Sequence, residues 1–133
     1  MKTYDFEVIL AAGTYDDANA AFTYDGSWLT MNATGPYNGT LRYTYGVGDS
    51  AHVIFNGRQI QLSYLAAAGA GVMDVYIDGI KVTSIDQSDA GWVWQKTWTS
   101  GQLAAGDHSI RVVYASGTSG ASFTSLDALT VTP

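Results

Sequence analysis

The chain has 133 residues, a length that fits one domain able to bury its own hydrophobic core. Only 6 lysines and arginines stand against 12 acids, and the net charge of −6 excludes the basic surface that nucleic acid or an anionic membrane requires. Hydrophobic residues make up 47% of the chain and charged residues 14%, a composition typical of neither a disordered nor a membrane-spanning chain. The absence of cysteine excludes thiol catalysis and disulfides.

The amino terminus lacks the charged and apolar regions of a secretory signal peptide, because residues 1–6 hold one lysine followed by an acidic and aromatic mixture. Threonine, serine, tyrosine, glycine and alanine nevertheless take the surface positions that lysine and glutamate usually occupy, a composition typical of secreted bacterial β-modules. We therefore expect a domain of a longer exported protein, extracellular or at the cell surface, with the other domains of that protein as partners.

Alternating hydrophobic, β-branched and aromatic residues predict β-strands along most of the chain. In chain order these segments are residues 4–10, 21–24, 27–32, 40–45, 52–55, 59–64, 73–77, 81–85, 92–99, 108–114 and 122–131. The shortest should merge, which leaves about eight or nine strands. The best helical candidate, residues 65–71, is short and broken by glycine and is predicted to be a loop. The pattern predicts an all-β fold, a two-sheet antiparallel β-sandwich or a barrel, in one domain spanning residues 1–133.

Residue pairs that tolerate a positive φ separate several of these strands. They are Asp25-Gly26, Asn38-Gly39, Asn56-Gly57 and Asp78-Gly79. The last is the strongest hairpin signal, because alternating strands flank it on both sides. Alternation in strands 73–77 and 108–114 predicts an inward-facing set of Met73, Val75, Ile77, Ile110 and Val112.

Four short motifs follow one another in a characteristic order: Tyr24-Asp25-Gly26-Ser27-Trp28, the segment 75–79 (VYIDG), the segment 103–112 (LAAGDHSIRV) and Leu126-Asp127-Ala128-Leu129. Their order resembles that of the galactose-binding-like jelly rolls, over nearly the whole chain. The resemblance implies a jelly-roll sandwich. Because many such modules are carbohydrate-binding parts of secreted bacterial proteins, it also implies a glycan or polysaccharide as partner.

Catalytic patterns are weak in this sequence, which predicts that the domain is not an enzyme. His52 and His108 are the only imidazole bases, and no Gly-x-Ser-x-Gly motif is present. His108 shares its parity with Ile110, so it is predicted to lie at the core edge with a hydrogen-bond partner. Glu7 is the only glutamate. Aspartates next to glycine are explained as turn residues, and these are Asp25, Asp49, Asp78 and Asp107.

Calcium is the one cofactor that the sequence suggests. Asp16 and Asp17 lie in the predicted loop 15–19, and clustered loop carboxylates suit a hard cation. The resemblance implies a structural calcium between such an early segment and an acid of the last strand, a position that Asp127 matches. An Asx-turn loop without metal is the alternative explanation of Asp16 and Asp17.

Aromatic residues at loop edges are the feature expected of a sugar site, because pyranose rings stack on flat side chains. In an unbroken strand Trp92, Trp94 and Trp98 would share one face, which is either the core or a ligand platform. Trp98 is interpreted as core, while Trp92 and then Trp94 are the binding candidates. Tyr15, Tyr37 and Asp89 complete the predicted ligand site, and Trp28 is interpreted as structural.

These patterns predict a non-catalytic carbohydrate-binding or adhesin-like module that holds a larger extracellular bacterial protein at a glycan surface. The alternative is a structural spacer or self-assembly module whose exposed tyrosines, threonines and edge strands mediate protein contacts. An exposed tryptophan at a loop rim would favour the first hypothesis over the second.

Overall fold

The computed structural model describes residues 8–117 and 121–133, and this part of the chain is built from β-strands. The strands are β1 (Ile9–Leu10), β2 (Gly13–Asp16), β3 (Thr23–Asp25), β4 (Leu29–Asn32), β5 (Thr40–Thr44), β6 (Ser50–Asn56), β7 (Gln59–Ala66), β8 (Val72–Ile77), β9 (Ile80–Asp86), β10 (Val93–Thr99), β11 (Asp107–Ser116), β12 (Thr124–Leu126) and β13 (Ala128–Thr132). The described residues contain no α-helix, and one 3-10 turn covers Tyr37–Gly39. Within these ranges no helix has the length and apolar character needed to cross a membrane.

Hydrogen bonds group the strands into three sheets. Sheet A has the order β1-β6-β11-β8-β9 with β3 also paired to β6, sheet B has the order β10-β7-β13-β2, and sheet C has the order β12-β5-β4. Sheet C continues sheet B, because β12 and β13 are separated by Asp127 alone, and the Asp127 N–H donates to the Ser63 carbonyl of β7 at 2.8 Å. The result is an all-β sandwich with sheet A opposite sheets B and C, as the alternation predicted.

The main core lies between the two layers and contains the inward-facing residues that the sequence predicted. Met73, Val75, Ile77, Ile110 and Val112 are all at most 5% exposed. They pack in one cluster with Leu62, Leu129 and Val131 of sheet B and Leu126 of sheet C. A smaller apolar cluster of Leu41, Leu65 and Ala67 lies apart from it, and this second cluster supports the candidate site described below.

Three strand predictions needed correction. Tyr15 and Asp16 were expected to lie in a loop of residues 15–19 but belong to β2 (Gly13–Asp16), whose backbone pairs in register with β13 at the sheet edge. The predicted strand 122–131 is two strands, β12 and β13, which belong to different sheets. Strand β1 pairs with β6 in parallel rather than antiparallel fashion. Glu7 and the beginning of predicted strand 4–10 lie outside the described residues.

Most of the predicted turn residues have the expected conformation. Positive φ angles occur at Asn38, Asp78, Gly26, Gly39 and Gly79. Gly57 is different, because its φ is not in the left-handed region. A Cβ there would lie 2.7 Å from the Thr132 carbonyl oxygen, so that the close approach of another backbone, and not turn conformation, explains this glycine.

His108 lies at the core edge with two hydrogen-bond partners, as its position in the strand predicted. Its Nδ1 is 2.6 Å from Asp78 Oδ2 and its Nε2 is 2.7 Å from the Ala104 carbonyl oxygen. Both partners only accept hydrogen bonds, so that both ring nitrogens must donate, as they do in the imidazolium ion. The Ala104 carbonyl and the Asp78 carboxylate accordingly raise the pKa of His108, with Asp107 contributing in the same direction.

We predict that the hydrogen bonds of protonated His108 stabilise the fold at low pH and that this stabilisation is lost as pH rises. A pKa raised in the folded state adds stability that is fully present below the unfolded value of 6.5 and disappears as pH rises through the folded value. His108→Gln should therefore lower the melting temperature more at pH 6 than at pH 9, with a stability difference of at most about 1 kcal/mol. Thermal melts of His52→Gln provide the control. An equal loss in His108→Gln at both pH values would contradict the prediction.

Candidate functional site

Trp92 and Trp94 form an aromatic pair at the start of β10. Their rings meet edge to face, with centroids 5.3 Å apart and an interplanar angle of 62°. Trp92 is 58% exposed, whereas Trp94 is half-buried against the small cluster of Leu41, Leu65 and Ala67. One ring is thus anchored in the protein, and it holds the other in contact with solvent.

A β-bulge separates these two rings from Trp98. The pairing of β10 with β7 shifts register between Val93 and Lys96, and Gln95 within the bulge has a φ of 53°. Beyond the bulge Trp98 pairs with Leu62 and packs against the main core. The prediction that Trp92, Trp94 and Trp98 share one face is therefore wrong, because the bulge reverses the alternation. The assignment of Trp98 to the core agrees with the structure.

The loop of residues 33–39 packs against the aromatic pair. A Cβ on Gly35 would lie 2.3 Å from the Trp94 ring, so only glycine permits this approach. The side chain of Gln95 fixes the loop from the other side, since its Nε2 donates to the Gly35 carbonyl oxygen at 3.0 Å. Bulge and loop thus form one surface around Trp94.

Asp127 holds the other end of this loop. The Tyr37 N–H points between the two Asp127 carboxylate oxygens, at 3.0 and 3.1 Å. Asp127 is fully buried and lies where the chain crosses from sheet C to sheet B. The Asp127 carbonyl also accepts the Asp17 N–H at 2.9 Å. A single residue therefore connects the loop beside Trp94 to the end of β2.

Asp16, Asp17 and Asp127 form a compact acidic cluster, in which one oxygen from each carboxylate lies within 4.8 Å of the others. Asp17, like Asp127, is fully buried. The Thr40 hydroxyl donates to Asp17 Oδ1 at 2.8 Å, and Arg42 Nε lies 3.5 Å from Asp17 Oδ2. The structure thus brings together the three residues proposed as metal ligands, although Asp16 lies in a strand rather than a loop.

The electrostatics of this cluster fit a divalent cation. Burial raises the pKa of Asp17 to about 7, with Asp16 adding to the effect and Thr40 and Arg42 opposing it. Burial likewise raises the pKa of Asp127 to about 6. Asp17 Oδ2 has no hydrogen-bond partner among the described residues. Three carboxylates facing one guanidinium leave excess negative charge, and an all-oxygen donor set is what calcium prefers. The residues fit calcium, and its binding stays a prediction.

The other residues of the predicted ligand site lie in different places. Asp89 is close to the aromatic pair, because its N–H donates to the carbonyl of Ala67, which packs in the Trp94 cluster. Tyr37 is half-buried in the loop that supports Trp94. Tyr15 is not part of this surface, since strands β7 and β13 separate β2 from β10. Its ring packs on the main core and its hydroxyl donates to the Ala11 carbonyl.

Trp28 has a structural environment, as its motif predicted. Its indole Nε1 lies 3.1 Å from the Asp25 carbonyl and 3.0 Å from the Ser50 carbonyl, and its ring packs edge to face on Tyr24.

Sequence reasoning missed Thr40, Arg42, Gly35 and Gln95. Thr40 and Arg42 share one parity in the predicted strand 40–45, so alternation could have placed both on the face that meets Asp17. No sequence signal marks Gly35 or the bulge at Gln95, because both depend on packing between distant segments.

The sequence of this domain is similar to part of two longer enzymes whose names refer to a sugar. No protein-family model matches the chain. The chain is 29% identical over 116 residues to an A type blood N-acetyl-α-D-galactosamine deacetylase of Flavonifractor plautii, and 31% identical over 100 residues to an A type blood α-D-galactosamine galactosaminidase of the same organism. These alignments cover 85% and 75% of this chain but only 15% and 9% of the two relatives.

Solved structures establish the fold. A family 35 carbohydrate-binding module from Clostridium thermocellum matches with a TM-score of 0.65 and 14% identity, over 91% of this chain and 98% of that chain. A family two carbohydrate esterase from Cellvibrio japonicus matches with a TM-score of 0.69 and 20% identity, over 91% of this chain and 33% of that one. The chain therefore has the jelly-roll fold of these proteins, as the resemblance seen in the sequence implied.

We predict that Gly35→Ala displaces Trp94, because the new methyl group would overlap its ring. Overpacking of this kind should lower the free energy of unfolding by about 1–3 kcal/mol and alter the tryptophan fluorescence spectrum. Gly101→Ala is the matched control, because a Cβ there has nothing within 4 Å. Denaturant titration followed by fluorescence measures both effects, and equal stability of the two variants would refute this packing.

Proposed function

We propose that this domain is a non-catalytic carbohydrate-binding module of a larger extracellular bacterial protein, with the Trp92–Trp94 pair as its sugar platform. The observation that carries the proposal is the exposed Trp92 ring, held edge to face by an anchored Trp94. The jelly-roll fold shared with a family 35 carbohydrate-binding module supports it.

A sugar would bind here by stacking its C–H face on the exposed indole while neighbouring polar groups bond its hydroxyls. Asp89 supplies such a group, since its carboxylate is partly exposed; one oxygen accepts the Gly91 N–H at 3.3 Å, and the other makes only a long contact of 3.9 Å with Lys96 Nζ. Anchoring reduces the entropic cost of binding, because Trp94 is fixed by the loop at Gly35 before the ligand arrives. Stacking on one rigid ring should give weak binding, with a dissociation constant of about 10 μM to 1 mM.

The class of glycan is proposed from the relatives. Both Flavonifractor plautii relatives are named for A type blood galactosamine, which is N-acetylated in the name of the first. A structural neighbour, the exo-β-1,3-galactanase of Phanerochaete chrysosporium, was solved with galactose, and it matches with a TM-score of 0.63 and 20% identity over 90% of this chain and 29% of that chain. Galactose-configured glycans are accordingly the first ligands to test.

The burial of the acidic cluster supports a non-catalytic role. A glycoside hydrolase needs two carboxyl groups that reach opposite sides of the scissile bond. Asp17 and Asp127 are fully buried, so neither can touch a substrate at the surface. Their proposed role is structural: with Asp16 they would hold a calcium ion, which would neutralise the cluster and fix Tyr37 and its loop.

A structural spacer or self-assembly module is the second candidate, and edge strand β9 favours it. Ile80 is 69% exposed and Val82 48% exposed on this outer strand of sheet A. Exposed apolar residues on an unpaired edge can pair with another chain. Sedimentation distinguishes the two, because assembly through β9 would give concentration-dependent oligomers without sugar.

We predict that Trp92→Ala weakens glycan binding at least about tenfold, which corresponds to about 1.4 kcal/mol. The reason is loss of the stacking surface, while folding should be preserved because Trp92 is largely exposed. Calorimetry with the best galactose-configured hit from a glycan array provides the measurement. Tyr45→Ala is the control, since Tyr45 is also an aromatic residue, 50% exposed, in the segment that follows β5. Equal binding by wild type and Trp92→Ala would refute the site.

We predict that calcium raises the melting temperature of the wild-type domain. A ligand that binds only the native state adds about 1.4 kcal/mol of stability for each tenfold increase in concentration above its dissociation constant. Asp16→Asn should reduce this effect, whereas Asp89→Asn, which removes a carboxylate outside the cluster, should retain it. The measurement is a thermal melt across millimolar calcium and chelator, and an unchanged wild-type melting temperature would remove calcium from the proposal.

A further inference from the structure

The outer face of sheet A carries an open cavity of about 580 Å³. Its lining comes from His52 of β6, Ser109, Arg111 and Val113 of β11, Tyr76 of β8, and Gly79 in the β8–β9 turn. Arg111 is in register with His52 on one side and with Tyr76 on the other, so the three side chains form a row across the sheet. Tyr76 is in turn in register with Lys81 of β9.

This row carries two cationic side chains on an acidic protein, and only one of them, Arg111, has no described ion-pair partner. Two of the 6 lysines and arginines, Arg111 and Lys81, lie in it, although the net charge is −6. Arg111 is exposed, and its Nη2 donates to the Ser50 hydroxyl at 3.1 Å. Among the described residues no carboxylate lies within ion-pair distance of Arg111, so its remaining donors face the cavity without an anionic partner.

Two carboxylates close to the row, those of Asp74 in β8 and Asp78 in the β8–β9 turn, already have partners within the protein. Asp74 Oδ2 lies 3.4 Å from Lys81 Nζ, and its Oδ1 accepts the Ser84 hydroxyl at 2.6 Å. Asp78 accepts from the Ser109 N–H at 2.9 Å and contacts His108 at 2.6 Å. Neither carboxylate forms an ion pair with Arg111, and among the described residues that line the cavity the guanidinium is the charged group without an anionic partner.

We infer that this cavity is a second binding site, selective for a sugar that carries a carboxylate. The planar fork of Arg111 matches a carboxylate in bidentate geometry. Tyr76 and Val113 supply an apolar surface for a pyranose ring, while Ser109 and His52 supply hydrogen-bonding groups for its hydroxyls. The site belongs to the outer face of sheet A, whereas Trp94 belongs to β10 of the opposite layer and Trp92 directly precedes that strand, so the two sites can be tested separately.

That the ligand is a sugar rests on the proposed function, whereas its negative charge is inferred from Arg111 alone. The experiment is calorimetry of wild type and variants with trigalacturonate, and with galactotriose as the neutral comparison. Arg111→Gln should lower the affinity for trigalacturonate about tenfold or more, because charge-assisted hydrogen bonds are lost. Arg58→Gln is the matched control, since Arg58 is an exposed arginine in the turn between β6 and β7 and belongs to no described ion pair. Trp92→Ala should bind trigalacturonate as wild type does.

Several results would overturn the inference. The first is that wild type fails to bind trigalacturonate at millimolar concentration. The second is that Arg111→Gln binds trigalacturonate as tightly as wild type does. The third is that wild type binds galactose 6-sulfate more tightly than galacturonate. If galactotriose binds at Trp92 while trigalacturonate does not bind, only this inference fails. If trigalacturonate binds through Arg111 while neutral glycans do not bind at Trp92, only the proposed platform fails. Thermal melts of Arg111→Gln exclude unfolding as the cause of a loss.

Discussion

The buried residue Asp127 makes the contacts on which the candidate site depends. It lies where the chain crosses from sheet C to sheet B, and its N–H, its carbonyl and its carboxylate each bind a different segment. Its N–H donates to Ser63 of β7, its carbonyl accepts the Asp17 N–H after β2, and its carboxylate accepts the Tyr37 N–H. Removing it would release the Tyr37 end of the loop of residues 33–39 and leave that loop held only at Gly35, while the main core between sheets A and B would keep its apolar contacts.

This arrangement links the acidic cluster to the aromatic surface through one short loop. From Tyr37, bound to Asp127, the chain runs back through buried Pro36 to Gly35, which contacts the Trp94 ring. Burying carboxylates without full compensation is costly, and Arg42 offsets only part of the charge. If a cation binds at the cluster, it would therefore act on the proposed sugar platform at a distance, by holding the loop that contacts Trp94.

The sequence predicted the regular parts of this molecule because local rules govern them. The hairpin at Asp78-Gly79 and the inward set around Val75 follow from turn chemistry and from alternation, and the structure contains both. Grouping Asp127 with Asp16 and Asp17 required the family resemblance, since no spacing rule connects the ends of the chain. The bulge at Gln95 and the edge pairing of β2 were not predictable, because they depend on strands that meet only in the folded sheet.

The four indole N–H groups of the domain allow a direct test of where sugar binds. In a ¹H–¹⁵N spectrum recorded during titration with a galactose-configured glycan, the indole signals of Trp92 and Trp94 should shift. Those of Trp28 and Trp98 should stay in place, because the first is hydrogen-bonded within the protein and both pack on the main core. Shifts confined to Trp28 or Trp98, or no shift of any indole at saturating glycan, would contradict a sugar platform at the Trp92–Trp94 pair.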